Sequence, residues 1–158
     1  GKFIFSEIGY NFQGTELQSA FGLEQLKRLK KFSKIRKRNF KNLLTFFEKY
    51  KKFFLLPEQT PKSDTNWLAF PLTIKDGTPF SRLAIVKFLE KNEVQTRPIF
   101  TGNILRQPAF RGLGAPNAAK KYVAANKIMN NSFLIGCHHG LTQAQLSYLK
   151  ETFEKFLE

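Results

Sequence analysis

The sequence predicts an α+β fold: a small three-stranded antiparallel sheet with helices packed on it, preceded by one long helix. Three observations carry that expectation. Residues 15–50 hold no proline and a single glycine, Gly22, so a helix of up to about 35 residues, roughly 50 Å long, can run unbroken. From Trp67 onward, apolar segments alternate in the order strand, helix, strand, short helix, strand, helix. Apolar residues make up 42% of the 158, and phenylalanine alone accounts for 18 of them. That is enough to pack one domain-sized core.

The long helix has a marked start. Thr15 stands three residues before Gln18, the spacing of a capping box that satisfies the first orphan N–H groups. Gly9, Asn11 and Gly14 precede it, so the tip reads either as an ordinary capped start or as an anion site facing a phosphate. Leu17, Ala20, Leu23, Leu26, Leu29, Phe32 and Ile35 recur every third residue. A step of three falls about 60° short of a full turn, so this stripe winds around the helix. A winding stripe suits a helix that meets more than one body. The pattern resets at Phe40, Leu43, Leu44 and Phe47. Residues 1–52 therefore read as a connecting arm and 53–158 as a small domain, with Gly1–Phe5 alternating like the end of a strand.

The small domain follows in order. Leu55-Leu56-Pro57 closes the helical region, and Gln59 to Asp64 is a polar loop. Trp67 to Ile74 reads as a strand, with Pro71 placing it at an edge or a bulge. Ser81 caps a helix carrying Leu83, Val86, Phe88 and Leu89, and Asn92 takes the left-handed C-cap. Val94 to Phe100 is the second strand, and Thr101 to Pro108 is a loop dense in specific polar groups. Ala118 to Asn126 is a short helix, and Phe133 to Cys137 the third strand. His138-His139-Gly140 makes a turn, and Thr142 with Gln145 opens a last helix showing Leu146, Leu149, Phe153 and Phe156 on one face.

Composition narrows the function classes. Net charge is +14, and nine basic side chains fall between Lys27 and Lys41. Such a surface suits a nucleotide diphosphate, an acidic partner, an anionic membrane or nucleic acid. No aromatic–basic platform accompanies it, so nucleic acid is the weaker reading. No apolar run approaches the roughly 18 residues of a membrane span, so no membrane partner is expected. The single cysteine, Cys137, excludes an internal disulfide framework and fits a reducing, cytoplasmic setting. The absence of an initial methionine reads either as the mark of a fragment or as a processed start. No Walker loop and no Gly-x-Ser-x-Gly elbow occurs. Two adjacent histidines beside Cys137 cannot readily converge on one ion, so a turn is expected there and no metal site. The concentrated polar groups are Asn11 and then Arg97, Asn103 and Arg106. Arginines with a nearby amide suit a diphosphate or carboxylate, or alternatively fix the loop through acidic partners.

These residues also carry a resemblance. Gly9-Tyr10-Asn11, followed by Thr15 to Leu26, resembles the segment joining the large and small domains of the DegT/DnrJ/EryC/StrS group of fold-type I, pyridoxal-phosphate sugar-nucleotide enzymes. Thr96-Arg97-Pro98-Ile99-Phe100-Thr101-Gly102-Asn103 and Arg106-Gln107-Pro108 resemble the branch that removes the 3-hydroxyl of CDP-4-keto-6-deoxyglucose. So does Lys127 to Gly136, ending in Gly140-Leu141-Thr142. The resemblance covers essentially the whole chain. It implies a PLP/PMP enzyme of lipopolysaccharide O-antigen synthesis, in some members with a [2Fe-2S] cluster and a reductase partner. It further implies a homodimer through the long helix and a nucleotide-sugar substrate. The catalytic base, the ring-nitrogen carboxylate and the cluster cysteines would lie in a larger domain N-terminal to Gly1, so no catalytic residue is expected here. By the same comparison Asn11 reaches a cofactor phosphate across the dimer interface, and Arg97, Asn103 and Arg106 line the substrate side. Gln13-Gly14 and His138-His139 depart from the group's pattern.

Overall fold

The computed structural model describes residues 12, 14–110 and 118–158. The chain divides into two compact units, residues 1–32 and 33–158. The contact boundary thus falls inside the long helix, whereas the expected division at 52/53 was one of role. That helix, α1 (Glu16–Phe47), is continuous for 32 residues. In the first unit Leu17, Leu23 and Leu26 of its apolar stripe are exposed, Leu17 by 82%, as is the neighbouring Phe21.

The second unit begins with the other end of α1, where Phe40, Leu43 and Phe47 recur at three and four residues and are buried. A 3₁₀ turn, Glu48–Tyr50, ends the helix. The remaining elements are β1 (Phe54–Leu55), β2 (Ala69–Ile74), α2 (Arg82–Lys91), β3 (Thr96–Pro98), α3 (Ala118–Lys121), α4 (Val123–Asn131), β4 (Ser132–Gly136) and α5 (Gln143–Leu157).

The sheet has four strands, not three, in the order β1-β2-β4-β3, all antiparallel. The added strand is β1, two residues long, pairing Phe54 with Ile74 and Leu55 with Thr73. Two residues are too few to show a period of two, so this strand leaves no pattern to read. Pro71 lies in an interior strand, but β1 reaches only Thr73 and Ile74. The flank of β2 at Pro71 is therefore an open edge, where a missing N–H costs no ladder bond.

Alternation in β2 buries Phe70, Leu72 and Ile74, opposite Ile135 and Phe133 of β4. Phe47 of α1 sits at the centre of the core, its ring 5.4 Å from Phe70 and 4.9 Å from Phe153 of α5. Burying one such side chain contributes about 1.5–3 kcal/mol. α4 touches β2 and β4, and the Thr73 and Ser132 hydroxyls of those strands meet at 2.7 Å. The predicted Ala118–Asn126 helix is instead two helices divided at Tyr122, the second running on to Asn131. The expected strand Val94–Phe100 is shorter, Thr96–Pro98. The left-handed residue after α2 is Glu93 (φ 57°) rather than Asn92.

Candidate functional site

Asn11, expected at a cofactor phosphate, lies outside the described residues, as does the strand expected at Gly1–Phe5. The helix start beside Asn11 is described. Thr15 N–H donates to Gln18 Oε1 at 3.1 Å, and Gln18 N–H to Thr15 Oγ1 at 3.3 Å. This reciprocal box satisfies two of the four orphan donors and leaves the N–H groups of Glu16 and Leu17. Glu16 adds a carboxylate in the same turn.

The loop after β3 brings two of the expected residues together. Asn103 is 2% exposed, and its amide is fully engaged. Nδ2 donates to the Ala119 carbonyl at 2.8 Å and to Asn126 Oδ1 at 3.0 Å, while Oδ1 accepts the Leu105 N–H at 3.2 Å. Arg106 Nε donates to the same Asn126 Oδ1 at 2.6 Å, and Asn126 Nδ2 donates to Ala119 O at 2.9 Å. Asn126 is therefore the hub, and sequence reasoning missed it: an asparagine within a helix carries no sign of a partner 23 residues away. Asn103 thus fixes this loop through amides and carbonyls.

The backbone of this loop is constrained. Gly102 has φ 63°, and a Cβ there would lie 2.4 Å from Met129 Cβ, so only glycine fits. Phe100 takes φ 44° while its ring is 88% exposed.

Arg97 is set apart from that network. Thr96 faces the core, and Arg97, next along β3, is exposed. It opens on a cavity of about 550 Å³ that is also lined by Leu134, His138, Leu141, Gln145 and Tyr148. Arg97 makes no ion pair with a described residue. Its charge helps hold the Glu90 carboxyl below the usual range, behind the larger effect of hydrogen bonds from the Thr96 hydroxyl and N–H. Asn39 of α1, fully buried, donates to the His138 carbonyl at 2.9 Å and anchors this loop. It too was invisible to sequence reasoning, its partner being 99 residues away.

The Cys137 thiol is buried, and desolvation pushes its pKa up to about 12. Among the described residues no group of three or more His, Cys, Asp or Glu could hold a metal ion. The buried polar residues described are Asn39, Thr96, Asn103, Ser132 and Thr152. No described lysine or carboxylate is among them, whereas His139 is half-buried with its Nδ1 shielded from solvent. For a phosphate-bearing cofactor the described residues offer one edge, the two remaining N–H groups at the tip of α1. No described helix is long and apolar enough to cross a membrane.

Comparison with known proteins gives these features a setting. The chain is 39% identical over 155 residues to the lipopolysaccharide biosynthesis protein RfbH of Salmonella typhimurium, covering 98% of this chain and 35% of that protein. It is 35% identical to dTDP-4-dehydro-2,6-dideoxy-D-glucose 3-dehydratase of Saccharopolyspora spinosa, over 99% of this chain and 33% of that protein. The chain thus spans about a third of the length of these relatives. Among solved structures, E. coli GDP-4-keto-6-deoxy-D-mannose-3-dehydratase with bound hydrated PLP aligns at TM-score 0.72 and 26% identity, over 99% of this chain and 39% of that one. The aminotransferase from Psychrobacter cryohalolentis aligns at TM-score 0.83 and 19% identity, over 98% of this chain and 41% of that one, which speaks to the fold. With residues 1–154 matching the family as a whole, the chain belongs to the DegT/DnrJ/EryC1/StrS aminotransferase family.

Proposed function

We propose that this chain is the C-terminal part of a PLP/PMP-dependent 3-dehydratase, acting on a nucleotide-linked 4-keto-6-deoxy sugar in dideoxysugar and O-antigen synthesis, and inactive alone. The observation that supports this most is the set of relatives. Two of them, at 35% and 29% identity, are named as 3-dehydratases of nucleotide-linked sugars, and the relative at 39% is a lipopolysaccharide biosynthesis protein.

When bound, the cofactor supplies the electron sink that lets the 3-hydroxyl leave. This chain's part is binding and placement. Asn11, four residues before the Thr15 cap in sequence, is the group offered to the cofactor phosphate of a second subunit. Arg97 and Arg106 offer guanidinium groups to the anionic portion of the nucleotide sugar. Asn103 serves the same side by holding the loop that carries Arg106. The base, and any [2Fe-2S] cluster with its reductase partner, belong to the rest of the protein. The exposed apolar residues Leu17, Phe21, Leu23 and Leu26 fit a homodimer through the long helix. Sedimentation of the whole protein with Leu26→Glu is expected to shift it toward monomer, and an unchanged dimer would rule that contact out.

A second reading is an ordinary sugar aminotransferase. The relative named dTDP-4-amino-4,6-dideoxy-D-glucose transaminase, 32% identical over 110 residues, favours it. Product analysis of the whole protein with PMP and CDP-4-keto-6-deoxyglucose separates the two. Loss of the 3-hydroxyl supports the dehydratase, and a 4-amino sugar as product would overturn it.

A further inference from the structure

The cavity beside Arg97 has a rim whose polar groups are already oriented by bonds made elsewhere. His138 Nδ1 accepts the Gly140 N–H at 3.2 Å, so in the neutral ring the proton sits on Nε2. Gln145 spends its Oε1 on the Thr142 N–H and hydroxyl, at 2.9 and 3.1 Å. Its NH₂ is the end left over. Tyr148 O–H donates to the Asn92 carbonyl at 3.1 Å, which holds its ring at the cavity wall. Arg97 adds a guanidinium with no ion pair among the described residues. Arg97, His138 and Gln145 thus present donors, the exposed Gln95 amide adds another, and only Glu93 contributes a carboxylate to the lining.

The remainder of the wall is apolar. Leu134, Leu141 and Leu149 contribute to it, and Gly136 keeps it open. A Cβ at Gly136 would meet the His138 ring and Leu141 at 3.6 Å, an ordinary contact, so space rather than clash occupies that point. A volume of about 550 Å³ lies within the range of small-molecule sites, where apolar walls and a few placed polar groups are the usual combination.

We propose that this cavity binds a small organic anion. Its headgroup, a carboxylate or a phosphate monoester, pairs with Arg97, with His138 Nε2–H and the Gln145 amide as further donors. Its flat or branched hydrocarbon body lies on Leu134, Leu141 and Leu149. Arg97 suits the headgroup because its planar fork matches both oxyanion types. Every lining residue described belongs to this chain, and Arg97, which the proposed function offers to the anionic portion of the nucleotide sugar, is the residue the two readings share.

The test is a titration of the whole protein with phenylacetate, phenyl phosphate and uncharged 2-phenylethanol, followed through the leucine methyl resonances. The expected result is saturable shifts of the Leu134, Leu141 and Leu149 methyls with the anions, weakening as salt is raised. Whichever anion binds more tightly identifies the headgroup. Arg97→Met, at an exposed strand position, is expected to weaken binding about tenfold or more. Ala144→Trp, an exposed residue lining the cavity, is expected to block binding without touching the core. Glu93→Gln is expected to tighten it several-fold by removing the opposing charge. Equal shifts with 2-phenylethanol, no saturable shift with either anion, or unchanged affinity in Arg97→Met would each overturn the proposal.

Discussion

Replacing Asn103 with alanine isolates what holds the loop after β3. The substitution removes three hydrogen bonds, two donated by Nδ2 and one accepted by Oδ1. At about 1 kcal/mol net each, the simple sum is about 3 kcal/mol. The neighbours lower that figure. Ala119 O still accepts from Asn126 Nδ2, and Asn126 Oδ1 still accepts from Arg106 Nε. Only the Leu105 N–H is orphaned, and burying the polar amide is no longer a cost. A loss of about 2 kcal/mol follows, roughly thirtyfold in the opening equilibrium of the loop. Because the loop can open without the core, a global melt would under-report it. Native-state hydrogen exchange resolves it through the amides of Arg106 and Gln107, which bond to the carbonyls of Asn103 and Ile104 at 3.0 Å. Those two amides are expected to exchange roughly thirtyfold faster, with the Phe133 and Ile135 amides of β4 unchanged. Unaltered exchange at Arg106 and Gln107 would refute the assignment of Asn103 as the loop's anchor.

Three further outcomes follow from the same structure. Gly102→Ala combines a left-handed backbone with a Cβ 2.4 Å from Met129 Cβ and 2.9 Å from its Cα, and is expected to cost about 2–4 kcal/mol in urea unfolding. Adding Met129→Ala should not restore it, since the clash is with atoms alanine retains; full rescue would count against this account. The lowered Glu90 pKa means its carboxylate stabilises the fold fully above the unfolded-state glutamate pKa, and loses that contribution as pH falls through the lower folded value. Thr96→Val removes the largest cause of the shift, so melting temperatures should show a deficit near neutrality that narrows in acid, and a deficit constant with pH would contradict this. With its thiol pushed up to about 12 and buried, Cys137 should resist a disulfide reagent at pH 8 until the chain is unfolded; rapid native labelling would contradict the burial.

The parts of this fold that sequence reveals are those fixed locally. Thr15 with Gln18, Ser81, and Thr142 with Gln145 all cap as their spacing predicts, because each bond spans three residues. Phe70, Leu72 and Ile74 face the core because a pleated strand has a period of two. What distant pairing decides stays hidden. β1 exists only because Ile74 and Thr73 offer it a partner, and Asn39 and Asn126 look like ordinary helix asparagines until the loops they hold are in place. The candidate site divides the same way. The polar density of residues 101–108 pointed to this loop, but not to Asn103 being engaged within it. Nor did it show that Arg97 would open on a cavity with His138.

The central claim is that this chain carries binding groups of a site whose base lies elsewhere in the whole protein. The direct measurement incubates the purified 158-residue chain with PMP and CDP-4-keto-6-deoxyglucose, with and without the remaining N-terminal portion, and follows the sugar by mass spectrometry. The account predicts no consumption by the chain alone and loss of the 3-hydroxyl when the two portions are combined. Turnover by the chain alone would contradict it.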